Sequence, residues 1–408
     1  MRKNIFLVFL FCCLVTQAQN TPDKVKIKED LEHLLNYVSN YYVYFAERGI
    51  DINCLREYYS KKTNDINTNE DTVLLFEYLM DEFHDSHLML NTNVWDSYRL
   101  YSSLYVSQKN NKTIITSVWT SAKEGILENI IGAEVIEVNK IKMPLAIDNF
   151  PTHCDDKTNP VTREWIANKV ISGRYSQPRI LTLRLRSGKI INFDLDQVKI
   201  SQHKSLISTE IKNNIGIITI NNSLGNNDLI SEFDKALDSL VSTKGLIIDL
   251  RNTVDGGNSY VARGIMSRFV KTEMPYQKHS FIEQYGNGPA VERTWLEYVN
   301  PRKSRYTKPS VVLVSRWTGS MGEGLAIGLE SVASSTIVGT EMERLAGEMN
   351  GFSFKNLQYG FRLSTARLFH VNGIPREKYV PGNYVAMTSC LIDETMEKAI
   401  EIINRKNK

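Results

Sequence analysis

Ser320 stands in Trp317-Thr318-Gly319-Ser320-Met321-Gly322-Glu323-Gly324. An apolar run of strand character, Ser310-Val311-Val312-Leu313-Val314-Ser315, precedes it, and Leu325, Leu329 and Val332 follow at helical spacing. A serine at a glycine-flanked junction of strand and helix is well placed to be a nucleophile. Small neighbours let a substrate carbonyl approach the backbone, and the N–H groups that open a helix can hold an oxyanion. The same residues also describe an ordinary serine cap. An esterase of the α/β-hydrolase type would want Gly-x-Ser-x-Gly with a histidine after the serine. Thr318 takes the first glycine place, and His370 follows the serine. His84 and His87 are three apart and would share a face of a continuing helix. No neighbouring ligand set completes a metal site, so no metal and no cofactor is expected.

Three compositional blocks must position these residues. Residues 19–95 read as helical, with Leu31, Leu34, Leu35 and Val38 on one face and Val73, Leu75, Phe76, Leu79 and Phe83 at helical spacing. Residues 96–198 read as short strands and turns: 114–118, 134–138 ending in a turn at Asn139-Lys140, and a hairpin of 180–186 with 190–195 across Ser187-Gly188. From 199 to 408 strands alternate with helices: strand 215–220, helix 229–241, strand 245–250, helix 260–270, the Ser320 unit, and a last helix at 394–405. That alternation predicts a mixed α/β core.

The chain opens with Arg2 and Lys3, an apolar run over 5–15, and a small residue at a plausible cut after Ala18. The run is too short to span a bilayer, so residues 1–18 are expected to be a cleaved secretory signal, with no stable membrane insertion afterwards and a location in a bacterial periplasm or outside the cell. Without Arg2 and Lys3, 47 of the 49 basic residues stand against 46 acidic ones, which gives no field for nucleic acid. Cys54, Cys154 and Cys390 remain after the cut. Three widely spaced cysteines are neither a disulfide framework nor a zinc pattern; at most one pair can form, and the sequence leaves open which.

Four segments, in order, resemble the C-terminal-processing and tricorn-core serine peptidases. They are Phe83-His84-Asp85-Ser86-His87-Leu88; Ser121-Ala122-Lys123-Glu124-Gly125-Ile126 with Ile131-Gly132-Ala133-Glu134-Val135-Ile136-Glu137-Val138-Asn139, similar to PDZ domains; Gly245 to Asn252 with Gly256-Gly257-Asn258; and Thr318 to Glu323. The resemblance implies a helical domain at 19–95, a PDZ-like domain at 96–198 and a ClpP/crotonase-like α/β peptidase core at 199–408. It implies peptide-bond hydrolysis through an acyl-enzyme, with peptides or proteins as substrate. Ser320 would be the nucleophile, His87 the general base, Ser86 an assistant, and Glu377 the carboxylate that orients the imidazole. Met321 and one of Gly256 or Gly257 would supply the oxyanion N–H groups. The related serine–lysine branch expects its lysine where this chain has Leu345, next to an Arg344 that cannot deprotonate. The stretch 98–104, in the place of a PDZ carboxylate loop, has no glycine, which leaves peptide capture and a spacer or lid role both open. A non-catalytic peptide-binding protein on the same scaffold is the alternative from another class.

Overall fold

The computed structural model describes residues 22–407 except 202 and 303; the expected signal segment lies outside them. The protein is mixed α/β and built in several domains.

The N-terminal helices are Lys24–Tyr41, Ile52–Lys62 and Asn69–Asp81. Asp23 caps the first, and Thr68 with Asp71 forms a reciprocal capping box on the third. Leu31, Leu34, Leu35 and Val38 are buried together, as their spacing requires. Three short helices cannot enclose a core alone. They close on two strands from the far end of the chain, Glu348–Ser353 and Gly360–Phe369, which contribute Phe352, Phe361 and Leu363 to the same cluster. The buried Asp30 carboxylate accepts the N–H groups of Lys355, Asn356 and Leu357, which fixes this closure. The helical block is therefore completed by the C-terminal half, which block composition did not foretell.

The middle block is an antiparallel sheet with strands Leu104–Lys109, Lys112–Val118, Glu134–Val138, Ile180–Arg184 and Ile190–Asp194 on its main path. Its turns at Asn110-Asn111 and Asn139-Lys140 hold positive φ at both residues, the twist that two-residue hairpins prefer. Helix Pro160–Ser172 packs on the sheet. Trp119 of this block stacks on Trp317 beside the candidate nucleophile, with ring centroids 5.8 Å apart and planes 3° apart. The two indole N–H groups donate to the carbonyls of Arg251 and Ser102, at 3.1 and 2.8 Å.

The C-terminal core carries a six-stranded sheet: Ile207–Lys212, Ile215–Ile220, Leu246–Asp249, Ser310–Val314, Thr336–Gly339 and Asn383–Tyr384, in that spatial order. Only the first pair is antiparallel. Such strands are apolar on both faces because both are covered. Ile247, Val311 and Leu313 meet Ile402 and Ile403 of the last helix, Glu394–Lys406. Ile248 and Val312 meet helices Leu229–Ser239, Ser259–Met266 and Met321–Ala333. A long hairpin, Met274–Glu283 with Val291–Val299, joins Gly360–Phe369 in a second sheet that periodicity had not marked. A disulfide links Cys54 to Cys154, tying the helical block to the middle block, and leaves Cys390 free.

Candidate active site

Strand Ser310–Val314 delivers the chain to a tight turn whose threonine does the anchoring. Thr318 is fully buried; its hydroxyl donates to the Leu250 carbonyl at 2.9 Å and accepts the N–H of Ser315. Thr253 braces the same turn, donating its N–H to Trp317 and accepting the N–H groups of Gly319 and Gly256. Thr253, shortly before the glycine pair, thus holds the nucleophile loop. Arg251 chelates Asp249 and Asp393 and is a strut.

Ser320 precedes helix Met321–Ala333 with φ 48° and ψ −110°. A non-glycine residue held there is strained, and such strain collects where a side chain must be presented. Glu323 sustains the conformation. Its buried carboxylate accepts the N–H groups of Ser320, Arg344 and Leu345 at 3.1, 2.9 and 3.2 Å. Burial pushes its pKa up to about 7, against the pull of Arg376 and these donors. Glu323 is thus more than a favourable charge at a helix start: it fastens segment 341–347 behind the serine.

The sequence left two glycines as oxyanion candidates, and hydrogen bonding separates them. The Gly256 N–H is spent on the Thr253 carbonyl at 2.9 Å. Gly256 has φ +65°, and a Cβ there would lie 2.5 Å from the Ser320 Cβ, so its role is to make room for the serine. The N–H groups of Gly257 and Met321 have no acceptor among the described residues. Both residues line a cavity that Ser320 and His87 share. Two unspent donors beside a serine, at the positive end of a helix, suit an oxyanion.

The helix Asn69–Asp81 stops short of the histidines, and His84 turns to φ 48°. The expected common helical face does not form. His84 Nε2 meets Asp155 at 2.9 Å, while His87 points the other way, into the site. Asp85 sets this turn: it accepts the His87 N–H and the Tyr42 hydroxyl, at 2.9 and 2.6 Å, and pairs with Arg48. His87 is 3% exposed. Its Nδ1 lies 2.9 Å from the Ala346 carbonyl, an acceptor, so Nδ1 carries the proton and Nε2 keeps a free lone pair. Nε2 is buried and has no hydrogen-bond partner among the described residues. Burial pulls the imidazole pKa down to about 4; Asp85 opposes this and Arg376 reinforces it. His87 and Ser320 line two cavities in common, the site cavity of about 410 Å³ and a second of about 720 Å³. No hydrogen bond joins them among the described residues.

Two residues expected to act with His87 are not hydrogen-bonded to it among the described residues. Glu377 does not reach the His87 ring, because the Ala346 carbonyl already occupies Nδ1. Its half-buried carboxyl opens on another cavity with Arg48, Glu343 and Ala346, where burial raises its pKa. Its neighbour Arg376 turns inward instead and donates to the carbonyls of Leu345 and Gly347 at 3.1 and 3.0 Å. Nothing in the sequence distinguished the arginine from the adjacent glutamate. Ser86 lines the site cavity, but its Oγ accepts from the Trp165 indole at 3.3 Å and is not bonded to His87. His370 bonds Ser331 and lies against Glu330, so the order required of an α/β-hydrolase triad is not formed. Among the described residues no group of ligating side chains could hold a metal ion.

A serine presented at a strand–helix junction beside unspent N–H donors is an arrangement that a serine-type peptidase acting on peptides or proteins requires. Residues 214–381 match the family model described as peptidase family S41, and residues 23–81 match the tricorn protease C1 domain. A region similar to peptidase family S41 thus follows a helical domain similar to tricorn C1, which marks the chain as a serine peptidase. No curated protein is matched. Among solved structures, mature CPAF is similar at 13% identity and a TM-score of 0.62, over 93% of this chain and 96% of that one. The photosystem II D1 C-terminal processing protease is similar at 14% identity and a TM-score of 0.56, over 92% and 96%. At such identities the likeness is one of fold.

Proposed function

We propose that the protein is an exported serine peptidase that cleaves peptide bonds through an acyl-enzyme on Ser320. The observation that carries this reading is the strained Ser320, which lines one cavity with two unspent N–H donors and shares that cavity and a second with His87, whose buried Nε2 lacks a partner among the described residues. The Ser320 hydroxyl oxygen attacks the scissile carbonyl as its proton passes to His87 Nε2. The oxyanion settles on the N–H groups of Met321 and Gly257. The C–N bond breaks as the imidazolium returns its proton to the leaving amine, and water, deprotonated by the same nitrogen, releases the acid. Ala346 orients the imidazole in this scheme through its carbonyl. Substrate closes the remaining gap between serine and histidine, as catalytic hydrogen bonds commonly tighten only in the complex.

The middle block reads as PDZ-like and the core as ClpP/crotonase-like. Tyr98 and Tyr101, from the stretch that would be the carboxylate loop, line the site cavity, which favours a fixed wall over a peptide-capturing groove. Export is supported by the Cys54–Cys154 bond, which belongs to an oxidising compartment. No helix among the described residues is long and apolar enough to cross a membrane.

Ser320→Ala is expected to abolish hydrolysis of a casein or peptide-library substrate, and labelling by a fluorophosphonate probe. Hydrolysis that survives in that variant rejects the assignment. The missing Ser320–His87 bond favours a second reading, a peptide-binding protein that has lost catalysis. A native protein that binds peptides but takes up no probe would establish it.

A further inference from the structure

Several carboxyls line the site cavity outside the catalytic scheme, and Glu343 stands out among them. Glu343 lines that cavity together with Ser320 and Asp255. Its Oε2 is sealed from solvent and has no hydrogen-bond partner among the described residues. Gly319, the glycine directly before the nucleophile, leaves the space that this oxygen fills; a Cβ there would collide with it. The main chain is fixed as well, by the Glu343 N–H donating to Thr318 at 3.1 Å. A buried, unpartnered carboxyl costs stability, so a structure that makes room for one and holds it still has a use for it.

We propose that Glu343 is a specificity residue that selects a basic side chain, lysine or arginine, beside the scissile bond; the inference rests on the peptidase reading above. The charge around it argues for a cation. Asp255 is held by hydrogen bonds from Tyr101 and Asn222 and not by a cation, so its charge reaches the same space. Of the cations lining the cavity, Lys169 is engaged with Asp81 at 3.1 Å. Arg362 lines this cavity too, and with Asn91 and Met349 it continues into the second cavity, to which Glu343 does not extend. Burial, then Glu323 and Asp255, raise the Glu343 pKa while the site is empty. An ammonium or guanidinium group supplies the missing donors and favours the carboxylate. A neutral side chain of the same length supplies neither.

Fluorogenic peptides identical except for lysine, norleucine or glutamate at each position flanking the cleaved bond test this, with Ser320→Ala as the blank. The native protein is expected to prefer lysine to norleucine by about tenfold or more in kcat/KM at one position. Glu343→Gln should bring that ratio close to one, and Glu343→Lys should turn the preference toward glutamate. A native ratio near one, or a Glu343→Gln variant that slows all three peptides alike, overturns the proposal while leaving the peptidase intact. No cleavage above the blank for any peptide takes down the peptidase reading, and this inference with it.

Discussion

A single Cβ is enough to test the arrangement around Ser320. Gly256→Ala combines a left-handed φ with a methyl pressed on the serine Cβ. It is expected to lower kcat/KM by about a hundredfold or more, the scale of losing an oxyanion contact, with little change in KM. His87 makes a second prediction. An imidazole that burial holds near pKa 4 stays in its proton-accepting form through mildly acidic solution. The kcat/KM profile should be flat from about pH 7 to 5 and fall only toward 4; an acid limb at the ordinary value of about 6.5 would show a solvated ring instead. At this scale the sequence was legible where a residue type has one use. A serine between small residues at a strand–helix junction was readable, and so was the resemblance that singled out His87. Glu377 was not, because choosing between a carboxylate and the backbone oxygen that replaced it depends on where the chain folds back. Glu343 was passed over because a buried carboxyl looks like any other until its partners are counted.

Segments, rather than single residues, keep the histidine in place. Glu82 accepts the N–H groups of His153 and Cys154 and the Tyr59 hydroxyl, and Asp155 holds His84, all within a few residues of the Cys54–Cys154 bond. That bond closes a loop of 100 residues, for which the chain-entropy estimate is about 4.7 kcal/mol. Replacing both cysteines by serine should lower unfolding stability in urea by about 2–5 kcal/mol. Peptidase activity should fall at lower urea than the loss of helical circular dichroism, because the strap beside His84 loosens first. Coincident transitions would show that the strap does not serve the site. Strands of the parallel sheet and the amphipathic helices were readable from periodicity. The hairpin Met274–Glu283 with Val291–Val299 was not: Gln277 and His279 are polar yet buried, and Trp295 and Leu296 are apolar yet exposed.

Across the whole molecule, buried acids set the response to pH. Burial raises Asp81 to about 6 and Glu82 and Glu323 to about 7, and moves Glu343 in the same direction. Each binds its proton more tightly folded than unfolded, so its contribution is fully present below about pH 4.5 and is lost as pH rises through 6–7. His87 acts oppositely: its folded pKa lies below the unfolded one, so its contribution is present above about 6.5 and lost as pH falls toward 4. Four groups against one predict a Tm several degrees higher at pH 5.5 than at pH 8, measured by calorimetry. A Tm that climbs across that interval would contradict the burial described. The helices at the N-terminus and the middle sheet both pack against the C-terminal half. Strands from beyond residue 348 finish the first helices, and a tryptophan pair clamps the middle block to the nucleophile loop.

The short segment 341–347 has a temporal consequence. It gives His87 its carbonyl and Glu323 two of its donors, and is itself gripped by Arg376. A nascent polypeptide that has emerged from the ribosome as far as the nucleophile therefore owns both reactive groups but not the brace that aligns them. Under the proposed mechanism, hydrolytic competence would arrive only as synthesis nears its end, which would spare the half-made chain from premature cutting.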